Sequence, residues 1–195
     1  MTGPAEALTA LAAGGLVVIP TDTVYGLAAR PELPKAVGAI FRAKGRPSGK
    51  ALPVLAASIE DLDPIVRLSP EARRLAGRFW PGPLTLVLPR RPGWRGELGE
   101  GASDTVAVRI PRSTVALELL AGSGPLAVTS ANRSGEPPAR TVEEARAALG
   151  AEVEVFVDGG PCAGRASTVL SLVGTPQVMR VGSLSPDQVL GALAP

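Results

Sequence analysis

Two of the chain's three lysines fall in one seven-residue turn, Lys44-Gly45-Arg46-Pro47-Ser48-Gly49-Lys50, the third being Lys35. Every other basic residue, out of 20, is an arginine. A mobile ammonium point charge beside a planar guanidinium fork, in a Gly/Pro/Ser turn, has the chemistry of a polyanion grip, above all for phosphates. The competing reading is a solvated basic turn. A P-loop is excluded: the span from Gly45 to Gly49 is one residue too short, Ala51 follows Lys50, and the turn follows an expected helix where a P-loop follows a strand.

Four other segments carry reactive or ligand-binding groups. Pro20-Thr21-Asp22-Thr23-Val24-Tyr25-Gly26-Leu27 follows an apolar run, where strand ends of α/β sheets meet ligands; an ordinary Thr/Asp turn has the same composition. Val128-Thr129-Ser130-Ala131-Asn132-Arg133-Ser134-Gly135 offers hydroxyls, an amide and a cation, or simply a helix cap. In Asp104-Thr105-Val106-Ala107-Val108-Arg109-Ile110-Pro111 an arginine sits among apolar strand residues, so its guanidinium requires a carboxylate, either structural or on a ligand. Gly164-Arg165-Ala166-Ser167-Thr168-Val169 and Met179-Arg180-Val181-Gly182 add hydroxyls and another arginine at strand entries.

What is missing narrows the chemistry. There is no histidine and one cysteine, Cys162, which excludes an internal disulfide, most zinc sites and any nucleophile activated by imidazole. Asp22 and Asp158 are the acidic residues best placed to touch a metal, but no protein ligand set for one is assigned. Net charge is only +2 and aromatics are 3% of residues, so an RNA contact would rest on a local basic patch and not on base stacking. An enzyme of this composition works by positioning and charge neutralisation.

The elements that must position these groups are short. Residues 4–13 have helical spacing and stop at Gly14-Gly15; 16–19 is a buried strand closed by Pro20. Residues 34–43 predict an amphipathic helix, with Val37, Ile40 and Phe41 inward, leading to the basic turn. A strand is expected over 51–56. Ser69-Pro70-Glu71 opens a helix to about residue 79, broken by Trp80-Pro81-Gly82-Pro83. Strands follow at 84–88 and 105–110, separated by a Gly/Pro/Arg/Glu-rich stretch, 89–103, expected to be a mobile excursion. A helix over 114–121 and a strand over 126–129 come next. Thr141-Val142-Glu143-Glu144 predicts a capping box, with Gly150 past the helix end. Strands at 153–157, 167–173 and 177–181 precede a last helix opened by Ser185-Pro186-Asp187-Gln188. The expected fold is α/β: one domain over residues 1–195, a twisted mixed sheet flanked by helices, with a basic concave pocket. No apolar run reaches about 18 residues, and the N-terminus lacks a basic segment before its apolar residues, so a cytoplasmic protein is expected.

In order and spacing, Pro-Thr-Asp-Thr-Val-Tyr-Gly-Leu, Lys-Gly-Arg-Pro, Trp80-Pro-Gly-Pro-Leu-Thr, Val-Arg-Ile-Pro, Thr-Ser-Ala-Asn-Arg-Ser-Gly, Ser-Thr-Val and Arg-Val-Gly resemble the YrdC-like threonylcarbamoyl-AMP synthase family over residues 14–182. The resemblance implies adenylation of threonine carbamate: L-threonine, bicarbonate and ATP with Mg²⁺ give threonylcarbamoyl-AMP and pyrophosphate. The product would feed a tRNA-modifying threonylcarbamoyl transferase machinery, with weak RNA binding as a further expectation. By motif, Lys44, Arg46 and Lys50 would hold the phosphates, and Thr105, Ser130, Asn132, Arg140 and Arg180 the rest of the nucleotide. Thr23, Arg109, Thr129 and Ser167 would hold threonine, with Arg109 on its carboxylate. Ala51 stands where the family often has proline, and Leu55 where some members have a histidine lining the threonine pocket. The length matches the short, single-domain form. Three rival readings stay open: an RNA-binding module, a synthase of another carbamoyl adenylate, and an inactive paralogue.

Overall fold

The computed structural model describes residues 3–100, 104–153 and 155–193. In chain order its elements are α1 (Pro4–Ala12), β1 (Val17–Ile19), β2 (Gly26–Ala29), α2 (Pro34–Lys44), β3 (Val54–Leu55), α3 (Pro70–Phe79), β4 (Leu84–Pro89), β5 (Thr105–Arg109), α4 (Thr114–Ser123), β6 (Leu126–Ser130), α5 (Val142–Leu149), β7 (Val155–Phe156), β8 (Thr168–Ser171), β9 (Gln177–Arg180) and α6 (Pro186–Gly191).

Local chemistry sets most of the boundaries. Ser69 caps α3 by accepting from Ala72 N at 3.2 Å, and Thr141 caps α5 by accepting from Glu144 N at 3.2 Å. The reciprocal capping box forms at Ser185 and Gln188 instead of at Thr141. The Glu144 carboxylate accepts from Arg140 N at 2.6 Å, one residue upstream of where a box requires it. Helix α2 ends at Gly45, whose φ of 60° is left-handed; this lets Arg46 N return to Phe41 O and turns the chain into the basic segment.

The strands form one nine-stranded sheet in the order β7-β1-β2-β6-β3-β5-β4-β8-β9. Pairs β1–β7, β3–β5 and β4–β8 are parallel and the other five antiparallel, so the sheet is mixed as expected. Strand β2 is not legible in the sequence. Gly26-Leu27-Ala28-Ala29 has no β-branched residue, and it is a strand because it lies between β1 and β6 with both faces buried. Gly26 permits the close approach: a Cβ there would lie 2.6 Å from Val128 Cγ1.

Alternate strand residues serve opposite faces. Val18, Leu27, Leu84, Leu86, Val106 and Val108 join α2, α3, α5 and α6 in the larger core. Val17, Ile19, Ala28 and Val128 meet α1 and α4 on the other face. Those two helices cover the β7-β1-β2-β6 half. Over the remaining half of that face the side chains of Leu55, Thr85, Ala107, Arg109 and Val169 border an open concavity.

Residues 90–100 are not the loose excursion their composition predicts. Arg90 stacks on the Trp94 ring at 4.7 Å and donates to Trp94 O and Gly96 O. Glu97 N donates to Pro31 O at 2.7 Å, Leu98 is buried, and its carbonyl accepts from Leu52 N at 2.9 Å. Ser48 Oγ donates to Glu100 Oε2 at 2.6 Å, which ties this strap to the basic turn. Residues 101–103 lie outside the described residues. Among the described residues no helix is long and apolar enough to cross a membrane.

Candidate functional site

A cavity of about 320 Å³ opens on the uncovered half of the sheet. That volume is near the lower end of small-molecule sites, roughly 300–1,000 Å³. Among the described residues its charged lining is three arginines, Arg46, Arg109 and Arg180, with no carboxylate. Hydroxyls come from Thr21, Thr23, Thr85, Thr129, Ser130 and Ser167, over a floor that includes Gly26, Leu55, Ala107 and Val128.

Arg109 is the last residue of β5 and is 6% exposed. Its Nε donates to Gly82 O at 2.9 Å, one terminal nitrogen to Thr23 Oγ1 at 2.9 Å, and the other to Asp22 Oδ1 at 2.6 Å. A guanidinium has five N–H donors, so two remain for the cavity. Asp22 also accepts from Arg112 N at 2.8 Å. Of the two partners considered for Arg109, the structure shows the carboxylate of the protein, Asp22, and Arg109 also lines the cavity. Burial pushes the Arg109 pKa down; Asp22 pulls it back up and the charge of Arg180 pushes it further down. A guanidinium keeps its proton, so this desolvation becomes demand for an anion.

Arg180 ends the edge strand β9 and donates through Nε (3.2 Å) and a terminal nitrogen (3.0 Å) to Ser167 O, and through the latter to Ser167 Oγ at 3.1 Å. Ser167 Oγ in turn lies 2.8 Å from Thr85 Oγ1. Arg46 folds back on its own turn, with Nε donating to Lys50 O at 3.1 Å and a terminal nitrogen 3.4 Å from Ala51 O. Burial lowers the pKa of both arginines. Three arginines therefore converge on one cavity, Arg109 buried, Arg46 partly buried and Arg180 exposed.

The other expected phosphate and nucleotide residues are placed differently. Lys44 is 3% exposed and points into the protein. Its Nζ lies 2.5 Å from both Ser130 O and Asn132 O, and 3.4 Å from Asn132 Oδ1. All three of its donors are spent on the turn after β6, so Lys44 clamps the cavity wall and is not a movable charge at its surface. Burial first, and the charge of Arg46 second, pull its pKa down to about 8. Asn132 is also withdrawn: its amide nitrogen donates to Arg133 O at 2.8 Å and to Glu136 O at 2.7 Å. Lys50 is exposed and does not line the cavity. Arg140 is exposed and lies over Gly164, where a Cβ would be 2.5 Å from its Nε. Thr105 starts β5, four residues or about 13 Å along the strand from Arg109, on the same face but beyond Ala107.

The structure therefore brings together Thr23, Arg46, Arg109, Thr129, Ser130, Ser167 and Arg180. Sequence reasoning assigned no role to Thr21 or Thr85, although each sits in one of the segments already singled out; a threonine between apolar strand neighbours was the available signal for Thr85. Asp158 is engaged by Tyr25, whose hydroxyl donates to its Oδ1 at 3.2 Å. Among the described residues no three acidic, Cys or His side chains cluster as a metal site.

The geometry can be set beside known proteins. The family model of Sua5, YciO and YrdC, described as telomere recombination, matches residues 9–182. The putative threonylcarbamoyl-AMP synthase of Mycobacterium tuberculosis is 43% identical over 194 residues, covering 98% of this chain and 89% of the relative. The threonylcarbamoyl-AMP synthase of Bacillus subtilis is 40% identical over 195 residues, covering 98% of this chain and 56% of the relative. Among solved structures, Pyrococcus abyssi Sua5 complexed with L-threonine superposes with a TM-score of 0.91 at 39% identity, covering 96% of this chain and 56% of that one. The chain thus spans a little over half the length of the Bacillus and Pyrococcus proteins. With the family model matching most of its length and near relatives over 98% of it, the chain belongs to the Sua5/YciO/YrdC family.

Proposed function

We propose that this chain is an L-threonylcarbamoyladenylate synthase, a nucleotidyltransferase that forms threonylcarbamoyl-AMP and pyrophosphate from L-threonine, bicarbonate and ATP. The observation that carries the reading is the cavity on which three arginines converge, rimmed by hydroxyls and, among the described residues, lined by no carboxylate. Such a site suits an anionic amino-acid derivative meeting a phosphate. The cavity is too small for a whole nucleotide as well. The threonine carbamate and the reacting α-phosphate occupy it, and the adenosine lies along the mouth toward Ser130 and Pro138.

The reaction needs no imidazole. Bicarbonate dehydrates to CO₂, and the threonine amine attacks that carbon and loses a proton, giving the carbamate. A carbamate oxygen then attacks the α-phosphorus as the bond to the bridging oxygen breaks and pyrophosphate leaves. Arg109 takes the threonine carboxylate on its two open N–H donors, and Thr23, Thr129 and Ser167 orient the amino acid. Arg46 and Arg180 neutralise the phosphates as charge moves to the leaving group. Lys50 and Arg140 lie outside the cavity and are assigned to the outer phosphates and the adenosine by motif alone; Thr105 marks the far end of the same sheet face. Lys44 and Asn132 act through the wall they hold. Mg²⁺ would travel on the ATP phosphates, as it usually does with few protein ligands. The labile adenylate calls for an acceptor, a tRNA-modifying threonylcarbamoyl transferase, in the cytoplasm where tRNA is modified; any RNA contact is weak and uses exposed arginines.

The test is incubation with ATP, L-threonine, bicarbonate and Mg²⁺, with pyrophosphate release and the mass of threonylcarbamoyl-AMP as readouts. Pyrophosphate that depends on threonine is the expected result; none under any combination overturns the proposal.

A further inference from the structure

Thr85 is the polar exception on an apolar strand. Leu84 and Leu86 on either side of it enter the larger core, whereas Thr85 turns to the opposite face, is 5% exposed and lines the cavity. Its methyl groups and volume are those of valine with one hydroxyl substituted, so packing alone gives no reason for the oxygen. That oxygen has a single hydrogen-bond partner among the described residues, Ser167 Oγ at 2.8 Å, on the residue just before β8, the strand parallel to β4.

The proton count around Ser167 gives the hydroxyl of Thr85 a task. A hydroxyl oxygen offers two acceptor sites and one proton. Arg180 can only donate, and it fills one acceptor site of Ser167 Oγ at 3.1 Å. Either of the two hydroxyls can donate to the other. If Thr85 donates, both acceptor sites of Ser167 are filled and its own proton has one direction left, the cavity. If Ser167 donates to Thr85, Ser167 has no proton for an anion and offers a ligand only its remaining lone pair. An anionic ligand oxygen selects the first arrangement. It then meets a hydroxyl polarised by a neutral donor and a cationic one behind it.

We propose that Thr85 is a positioning residue of this site: it donates to Ser167 Oγ and, with Arg180, turns the Ser167 O–H onto an anionic oxygen of the bound amino-acid carbamate. The inference rests on the synthase reading above and deepens it, since it sets the donor polarity of one wall.

The experiment compares steady-state kinetics of the wild type, Thr85→Val, Thr85→Ser, Ser167→Ala and the Thr85→Val/Ser167→Ala double variant, with thermal unfolding of each. Thr85→Val should raise KM for L-threonine about tenfold, the loss of roughly one hydrogen bond, with KM for ATP within about twofold of wild type. Thr85→Ser should restore the threonine KM, and Thr85→Val should add nothing in the Ser167→Ala background. An unchanged threonine KM in Thr85→Val overturns the proposal. So does an equal further loss in the Ser167→Ala background, which would mean that Thr85 touches the substrate directly. If Thr85→Val does not fold, Thr85→Ala, which removes any crowding by the second methyl, carries the same comparison. A wild-type chain that releases no pyrophosphate refutes the synthase reading itself; an active wild type with an unaffected Thr85→Val refutes only the role of Thr85.

Discussion

Replacing Asp22 with asparagine should lower stability and raise affinity for L-threonine at once, because the carboxylate that anchors Arg109 also competes with the substrate for it. Asp22 Oδ1 accepts from Arg109 at 2.6 Å and from Arg112 N at 2.8 Å, and the ion pair is nearly out of water, with side-chain exposures of 7% for Arg109 and 15% for Asp22. Asparagine keeps an oxygen in the same place, so both bonds survive, but the guanidinium stays cationic and loses its buried counter-charge. Leaving a buried charge with no partner costs about 3–5 kcal/mol, and the retained amide oxygen returns part of it. The expected destabilisation is therefore about 2–3 kcal/mol, a fall in Tm of roughly 4–12 °C for a domain of this size.

The affinity term has the opposite sign. Two carboxylates on opposite edges of one guanidinium are about 6 Å apart, and at an effective dielectric near 20 their repulsion is about 3 kcal/mol. If half of that is lost to relaxation and solvent, threonine should bind about tenfold more tightly to Asp22→Asn. Titration calorimetry with L-threonine measures the affinity, and thermal melts with and without threonine supply a second readout, since tighter binding to the native state enlarges the ligand-induced rise in Tm. A variant that is less stable and also binds threonine more weakly would refute the reasoning: the open donors of Arg109 would then not be where the carboxylate goes, or the ion pair would serve only to hold Arg109 in place.

Arg46→Ala should cost about 100-fold in turnover, about 3 kcal/mol of transition-state stabilisation by analogy with oxyanion donors, while its melting curve stays near wild type. Lys50→Ala should behave in the same way with a smaller loss; near-normal turnover in both variants rules the basic turn out of catalysis. Lys44→Met should instead lower the unfolding midpoint, because it strips Ser130 O and Asn132 O of a buried donor, and any loss of turnover should follow the loss of fold. For pH dependence, the folded-state pKa of Lys44 near 8 lies below its ordinary value of 10.5, so the folded state disfavours the charged form. Its burial cost is fully present below pH 8. Between pH 8 and 10.5 the unfolded chain binds more protons, and the contribution of Lys44 to stability rises. Urea midpoints of wild type minus Lys44→Met across that window should increase with pH; a decrease overturns the assignment.

The parts of this site that were legible are those whose residue type is itself unusual for its setting. An arginine between Val108 and Ile110 on a buried strand demands a counter-charge wherever the strand lies, and hydroxyls at strand ends next to glycine and proline mark a rim. What stayed illegible depends on direction. Lys44 and Arg46 flank Gly45, and nothing in the one-dimensional pattern distinguishes them. Lys44 is the last helical residue, so its side chain runs back along α2 toward the β6 turn, whereas Arg46 follows the left-handed glycine and faces the cavity. The strap over 90–100 was misread for a related reason. Its Gly and Pro content describes how the backbone turns, but Leu98 and the stacking of Arg90 on Trp94 decide that it is held down.

The division of labour between lysine and arginine has a common cause. A lysine can be buried where a few carbonyls surround one point, and the turn after β6 supplies them to Lys44. An arginine cannot surrender its proton and spreads its donors over a fork, so a partly engaged arginine at the cavity keeps both its charge and spare donors. Arg109 has given part of its charge to Asp22, while Arg46 and Arg180 have only neutral partners among the described residues. The empty cavity is thus most positive along the Arg46–Arg180 side and least so at Arg109. A threonine carbamate carries two negative charges and must approach a triphosphate that carries more. In the proposed reaction that asymmetry would let the amino-acid carboxylate settle at the weaker cation and keep the two stronger ones for the phosphates, with the carbamate oxygen between them when the α-phosphorus arrives.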